Sequence, residues 1–215
     1  MAVRRSVEAA VLNRAAGALL ASAVGEGLGG GGGEWVELTA TTLSHLGDPA
    51  ALRDALADPS AVGARVLWAL AIRHTVLTGE LDARVGLTGL TGEVQTLWSR
   101  RLAEAEALPA SSFSDGSAVH AIQAAWSVIM TTEVLPYDME RHLGDALEAC
   151  LPFGAPVPAI AGGLLGACHG VDAVPAEWVE QLPDATDVVH RARELAAASW
   201  AEDPDAELFD LPGGE

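Results

Sequence analysis

Two ladders of small residues restrict how this chain can fold. Glycine occupies every fourth position from 162 to 170, and Gly17, Ala21 and Gly25 are spaced in the same way near the N-terminus. Residues four apart lie on one face of an α-helix, so each ladder forms a smooth strip along its helix. Small residues at this spacing let two helix backbones come close together. We therefore expect the two helices that carry the ladders to lie in direct contact at the centre of the fold.

The composition favours helices along the whole chain. Of the 215 residues, 50% are hydrophobic, and alanine and leucine are abundant while runs of β-branched residues are short. These residue types favour α-helix over β-strand. The length is that of one domain, which we place at residues 1–200. Apolar residues at helical spacing predict helices over residues 6–24, 39–46, 49–57, 62–77, 93–108, 118–131, 141–150, 159–170 and 184–200.

Two stretches interrupt the helical pattern. Residues 25–33 contain seven glycines in nine positions, which predicts that the first helix ends there and that a flexible connection follows. A phosphate-binding loop is not indicated, because no strand precedes the glycines and no Lys-Ser/Thr pair follows them. Residues 201–215 are acidic and rich in glycine at their end, so we expect a mobile tail.

The charge of the chain excludes several classes of partner. It carries 30 acidic and 12 basic residues, a formal net charge of −18. Such a surface repels nucleic acids and anionic membranes, and we expect neither as a partner. We find no secretory signal with an apolar core and a small-residue cleavage site, so we expect a cytoplasmic location. Cys150 and Cys168 lie in apolar surroundings without metal-ligand spacing, which is typical of buried free thiols.

The second glycine ladder lies in a segment that resembles a known metal-binding motif. Residues 160–167 read Ile-Ala-Gly-Gly-Leu-Leu-Gly-Ala. This resembles the ADP-ribosylglycohydrolase family, in which Gly-Gly-Asp-Thr-Asp-Thr and two small residues precede Ile-Ala-Gly-x-Leu-Leu-Gly-Ala. In this alignment Phe153 and Ala155 occupy the two acidic positions, and Pro156 replaces the last threonine. Mg²⁺ requires oxygen ligands, which these three side chains lack.

A second segment shows the same pattern of loss. Residues 33–39 read Gly-Glu-Trp-Val-Glu-Leu-Thr. They resemble the Gly-Glu-Trp-Thr-Asp-Asp-Thr of many bacterial members of the family. Val36, Glu37 and Leu38 then occupy the Thr-Asp-Asp positions, and only Glu37 keeps a carboxylate, while Thr39 keeps a hydroxyl. We therefore expect no metal ion and no other cofactor.

Four further stretches resemble the family in the right order. Residues 17–29 resemble its opening helix, with Glu26 where the family has an aspartate. Residues 66–82 resemble a later helix and its exit, residues 115–126 resemble an Asn-Gly…Leu-Gln-Ala-Ala-Trp segment, and residues 174–178 resemble Ile-Pro-x-x-Trp. The resemblance implies a compact, orthogonal all-α bundle. A helical block that family members carry after the second segment is missing. The expected active-site cleft has therefore lost part of its wall as well as its metal ligands.

The resemblance also implies an activity and a set of site residues. Intact relatives bind paired Mg²⁺ and hydrolyse the glycosidic bond between ADP-ribose and a protein side chain or small molecule. Glu26 and Glu37 are the candidate catalytic carboxylates here, and Thr39, Asp115 and Gly116 are the candidate ligand-binding residues. The alternative interpretation is that Glu26 and Glu37 are solvent-exposed residues that flank the deleted segment and have no catalytic role.

Three functions remain open from the sequence. The first is a catalytically degenerate homologue, a pseudoenzyme that binds a protein partner or a small ligand without metal. The second is a hydrolase that cleaves an ADP-ribosyl or related ribosyl bond without metal, which requires Glu26 and Glu37 to face each other in a pocket. The third is an interaction protein, including a homo-oligomer, because the deletion exposes apolar surface.

Overall fold

The computed structural model describes residues 2–57, 63–113, 115–134 and 138–201. Within these ranges every regular element is a helix, which confirms the all-α prediction. The α-helices are α1 (Ala2–Gly29), α2 (Glu34–Leu43), α3 (Pro49–Ala55), α4 (Ala64–Thr78), α5 (Gly92–Ala107), α6 (Ala118–Thr131), α7 (Met139–Cys150), α8 (Pro156–His169), α9 (Ala176–Val179) and α10 (Ala185–Ala201).

The centre of the fold is the contact between α1 and α8. A Cβ atom added to Gly17 would collide with the carbonyl group of Gly166, and one added to Gly25 would collide with the backbone of Pro158. Gly25 follows Gly17 along α1, whereas its contact Pro158 precedes Gly166 along α8. The two helices are therefore antiparallel. The predicted contact of the glycine ladders is confirmed, and it extends over several turns rather than one crossing point.

The other helices pack around this pair. The indole N–H of Trp68 on α4 donates to the carbonyl oxygen of Ile160 on α8 at 3.1 Å. Gly163 of α8 faces both α2 and α4, since a Cβ there would lie 3.1 Å from Thr39 Oγ1 and 3.2 Å from Ile72 Cδ1. The hydroxyl of Ser199 on α10 donates to a carbonyl of α2, that of Leu43, at 2.7 Å.

The glycine-rich connection is shorter in the structure than expected. Helix α1 continues through Gly29, so only residues 30–33 connect it to α2. Gly25 and Gly29 stay helical because they lie against the backbones of Pro158 on α8 and of Ala155 just before it, where no larger residue fits. Close packing therefore outweighs the low helix propensity of glycine. Residues 202–215, nearly all of the expected tail, lie outside the described residues.

Helix α1 has the length and apolarity of a membrane-spanning helix, over residues 6–29. Its side chains nevertheless form part of the core, and Ala15, Leu19 and Ala21 are at most 1% exposed. The apolar character of α1 is thus explained by its contact with α8.

The cysteines lie in the interior without forming a disulfide. Cys150 is fully buried, and burial raises the pKa of its thiol to about 12. Cys168 is partly buried, with Sγ 3.6 Å from the carbonyl oxygen of Gly79. A thiol with a raised pKa is mostly protonated at neutral pH and reacts slowly.

Candidate functional site

The two motif segments meet at one end of the molecule. The end of α1 lies against the start of α8, since a Cβ on Gly29 would lie 3.0 Å from the Cα of Ala155. The start of α2 is tied to the end of α1 by a hydrogen bond from the Gly33 N–H to Glu26 Oε1, 2.6 Å long. The fold thus brings together the segments that the resemblance assigns to one metal site.

The start of α8 offers no oxygen ligand from its side chains at the family's ligand positions. Phe153 is partly buried against the hydrophobic core. Ala155 and Pro156 follow it and begin the helix. None of these three side chains carries a donor or acceptor atom that binds a cation.

The backbone at the start of α8 is also closed to anions. Pro156 and Pro158 have no N–H group, and the N–H of Val157 donates to the carbonyl oxygen of Gly154 at 3.1 Å. The first three positions of the helix therefore provide no free N–H. Phosphate groups commonly bind to the free N–H groups in the first turn of a helix. The first turn of α8 therefore lacks the groups that would bind a phosphate.

The ligand positions on α2 are mostly in the core. Leu38 is 0% exposed, and Val36 is partly buried against the core. Thr39 is buried as well, and its hydroxyl donates to the carbonyl oxygen of Trp35 at 2.9 Å. The candidate ligand-binding hydroxyl of Thr39 is therefore used inside α2.

Glu37 points away from the core. Its side chain is 65% exposed and forms an ion pair of 3.5 Å with Arg191 on α10. Exposed ion pairs of this kind contribute little to stability, about 0–1 kcal/mol. Glu37 therefore lies on a solvated face between α2 and α10.

Glu26 holds the glycine loop in place. Besides the bond from the N–H of Gly33 to Oε1, the carbonyl oxygen of Glu26 accepts from the N–H groups of Gly30 at 2.9 Å and Gly31 at 3.2 Å. Oε2 of the carboxylate is buried without a hydrogen-bond partner. The two candidate catalytic carboxylates thus have different partners, a loop N–H for Glu26 and an arginine for Glu37.

Asp115 and Gly116 form the turn before α6. Asp115 Oδ1 accepts from the N–H of Ser117 at 2.9 Å and lies 2.8 Å from His120 Nδ1. The bonds from Ser117 lower the pKa of the Asp115 carboxyl, and the nearby His120 lowers it further. Gly116 has a φ of 76°, a conformation that favours glycine. Their described contacts are local and join neither residue to Glu26 or Glu37.

The residues at the family's ligand positions do not fit Mg²⁺. This ion requires near-octahedral oxygen coordination, with at least one or two carboxylates from the protein. Five of the six positions carry side chains without oxygen, and Glu37 is paired with Arg191. Among the described residues, no group of three or more His, Cys, Asp or Glu side chains is arranged to hold a metal ion.

Two pockets beside α9 were not predicted from the sequence. One, of about 140 Å³, is lined by Val24, Gly27, Leu28, Trp178, Gln181 and Leu182. The other, of about 260 Å³, lies between α7 and α9 and is lined by five carboxylates, by Arg141, Gly144 and Pro175, and again by Trp178. In the sequence Trp178 matches only the family's Ile-Pro-x-x-Trp segment, and no periodicity predicts that it lines a pocket. By contrast Trp35, Trp98 and Trp126 are core residues, at most 5% exposed.

Comparison with known proteins supports the resemblance. The family model for ADP-ribosylglycohydrolase matches residues 48–205, which include the segment at the start of α8 but not the segment at the start of α2. No curated protein and no solved structure matches the chain. Since the matched residues span well over half of the sequence and the described elements are all helical, the chain belongs to the ADP-ribosylglycohydrolase family.

Proposed function

We propose that this family member is catalytically degenerate and binds a protein partner or a small ligand without a metal ion. The observation that carries the proposal is the identity and burial of the residues at the family's ligand positions. Leu38 is part of the hydrophobic core, Phe153 and Ala155 lie in the turn before α8, and Pro156 is the first residue of that helix, which packs against α1. Such a site has no means to polarise a glycosidic bond through a metal.

The charge around this end of the molecule also disfavours ADP-ribose. The first turn of α2 contains Glu34 and Glu37, and the side chain of Glu26 is hydrogen-bonded to the residue just before that helix. The first three positions of α8 have no free N–H group that could bind the ligand. The pyrophosphate of ADP-ribose is anionic, and in intact relatives bound cations offset its charge. Without that cation, the basic groups beside these glutamates are Arg65 and Arg191, and each is already paired, with Glu34 and Glu37 respectively, so the region offers little compensation for the charge of the pyrophosphate.

The geometry gives little support to metal-independent hydrolysis. A pair of catalytic carboxyl groups must flank the scissile bond, about 5–9.5 Å apart, with the substrate between them. Glu37 is turned towards Arg191 on a solvated face, and the Glu26 carboxylate is covered by the glycine loop. A substrate would have to displace both contacts before it could lie between the two carboxyl groups.

The pocket at the end of α1 is the better candidate for binding. Its volume of about 140 Å³ is below the range of about 300–1,000 Å³ typical of ligand sites, so it suits one side chain of a partner better than a nucleotide. Trp178 and Leu182 provide apolar contact area, and the side chain of Gln181 provides a polar group. Tryptophan in such a position is common at protein–protein interfaces.

Self-association is a second form of the same proposal. Among the described residues, Leu108, Met130, Val134 and Met139 are large apolar side chains that are 38–54% exposed. They lie at or just beyond the end of α5, the end of α6 and the start of α7. Exposed apolar side chains of this size favour contact with a partner surface, which a second copy of the chain can supply.

The experiment that tests the proposal is an assay for ADP-ribose release. The protein is incubated with ADP-ribosylated arginine or serine substrates at millimolar Mg²⁺, and an active family member serves as the positive control. We expect no release above the background of the substrate alone. Release that requires Mg²⁺ would refute the proposal, and release that persists in EDTA and is lost on Glu26→Gln would favour the metal-independent hydrolase instead.

A further inference from the structure

His142 and His169 form a direct contact between α7 and α8. Nδ1 of His142 lies 2.8 Å from Nε2 of His169, and the ring centroids are 5.0 Å apart. His142 is only 2% exposed, in the buried face of α7 with Leu143, Ala146 and Leu147. His169 is the last residue of α8 and is partly exposed. The polar link between the two helices is therefore a hydrogen bond between two titratable rings.

Counting hydrogens shows how this contact responds to acid. Two neutral imidazole rings carry two N–H hydrogens, and the contact uses one of them. With three hydrogens on the pair, one lies in the contact, one lies on Nδ1 of His169, and one has to reside on Nε2 of His142, which is buried without a hydrogen-bond partner. A fourth has to enter the contact itself, where two N–H groups would then face each other at 2.8 Å. The first added proton is thus costly, and the second is incompatible with the contact.

We propose that His142 and His169 form an acid-sensitive clasp, in which proton uptake by the pair breaks the contact and loosens α7 from α8. The neutral pair holds the two helices together, and the protonated pair favours a state in which both rings reach water. The clasp is separate from the motif segments at the start of α2 and α8, and it does not depend on the function proposed above.

The electrostatics of the pair agree with this geometry. Desolvation by burial lowers the pKa of His142, and the carboxylate of Asp145 on the same helix opposes the shift. Burial, and then the charge of His142, lowers the pKa of His169 to about 4. Asp145 thus acts on His142 from the same helix, and His142 acts on His169 across the contact; Asp172 lies three residues beyond His169, in the turn that follows α8.

The direction of the pH effect follows from these shifts. A freely solvated histidine has a pKa near 6.5, above the pKa of either ring in the closed clasp. Between pH 6.5 and about 4 the open state therefore binds more protons than the closed state. The clasp is at full strength above pH 6.5 and weakens progressively as the pH falls towards 4.

Loosening α7 would alter the acidic pocket on its other face. The pocket is lined on α7 by Glu140, Arg141, Asp145 and Glu148, and on the opposite side by Trp178 and its neighbours. Gly144 brings α7 close to this opposite wall, since a Cβ there would lie 3.6 Å from Pro175 Cγ. An acid-induced shift of α7 therefore changes the shape of the pocket.

The test is amide hydrogen exchange of α7 between pH 7 and 4.5, corrected for the intrinsic pH dependence of exchange. Helix α5, which contains no histidine, is the internal reference. We expect the opening of α7 relative to α5 to increase by about 10-fold or more in the wild-type protein. His169→Gln removes the ring with the larger pKa shift but leaves His142 able to titrate, so it should reduce this increase several-fold without abolishing it. The matched control is His190→Gln, because His190 is 73% exposed and should leave the wild-type response unchanged.

An equal increase in the wild-type protein and in His169→Gln would overturn the proposal. If His169→Gln fails to fold, an NMR titration of the wild-type histidines decides the question. We expect both rings of the pair to titrate below pH 6.5, with His169 near pH 4. Ordinary titration of both rings near pH 6.5, with α7 still protected, would contradict the clasp.

Discussion

Replacing Gly166 with leucine is expected to destabilise the protein by about 3 kcal/mol or more, and so to lower its melting temperature by about 6–12 °C. A Cβ atom at this position would collide with the carbonyl group of Gly17 and lie 2.8 Å from the Cβ of Ala21. The first obstacle is backbone, so a change of side-chain rotamer cannot relieve it. The whole α1–α8 contact has to separate instead. Calorimetric or circular-dichroism melting measures the effect.

Gly27→Leu is the matched control for this prediction. Gly27 is also in a helix, on the exposed side of α1, and a Cβ there would meet no heavy atom within 4 Å. Leucine has a higher helix propensity than glycine, by up to about 1 kcal/mol, so this variant should melt at or slightly above the wild-type temperature. Equal melting of Gly166→Leu and the wild-type protein would contradict the close packing of α1 and α8.

Restoring an acid at position 38 is expected to have an even larger effect on stability. Leu38 is 0% exposed in the core cluster, so Leu38→Asp removes apolar contacts and buries a carboxylate without a partner. We expect a loss of about 4 kcal/mol or more at neutral pH. Addition of 10 mM Mg²⁺ should not recover the lost stability, because Glu37 is the only other of the six ligand positions with a side-chain oxygen, and it points to solvent and Arg191.

Val36→Asp provides the comparison for this variant. Val36 is only partly buried, and it lies in the first turn of α2, where a carboxylate interacts favourably with the helix dipole. We expect its stability to change by about 1 kcal/mol or less. Recovery of the Leu38→Asp melting temperature by Mg²⁺, but not by an equal ionic strength of NaCl, would show that a latent metal site remains.

Much of the helical framework could be predicted from the sequence, because helices leave a local periodic signal. The apolar pattern over residues 118–131 gave the bounds of α6, and the glycine ladders gave the contact of α1 with α8. The apolar spacing predicts a helix that begins at residue 39, whereas α2 begins five residues earlier, at Glu34. Glu34 and Glu37 carry the signal for the earlier start, because acidic residues favour the first turn of a helix, but they also match the family's metal motif.

The features that the sequence did not reveal depend on contacts between distant residues. His142 and His169 are 27 positions apart and lie on different helices, so no spacing rule connects them. The pair formed by Glu37 and Arg191 likewise spans most of the chain. Trp178 became a pocket wall through the packing of α9 beside α1 and α7. The helical end of α1 was missed because glycine propensity is local, whereas the packing that overrides it comes from α8.

Titration with Mg²⁺ in a calorimeter tests the central claim, that the family scaffold has lost its ion site. The measurement runs from micromolar to low-millimolar Mg²⁺ in 150 mM NaCl, which screens non-specific attraction to a chain with a net charge of −18. We predict heats that match the dilution control, with no saturable binding. A well-defined isotherm in this range, weakened by Glu37→Gln, would contradict the account and restore a metal to this end of the molecule.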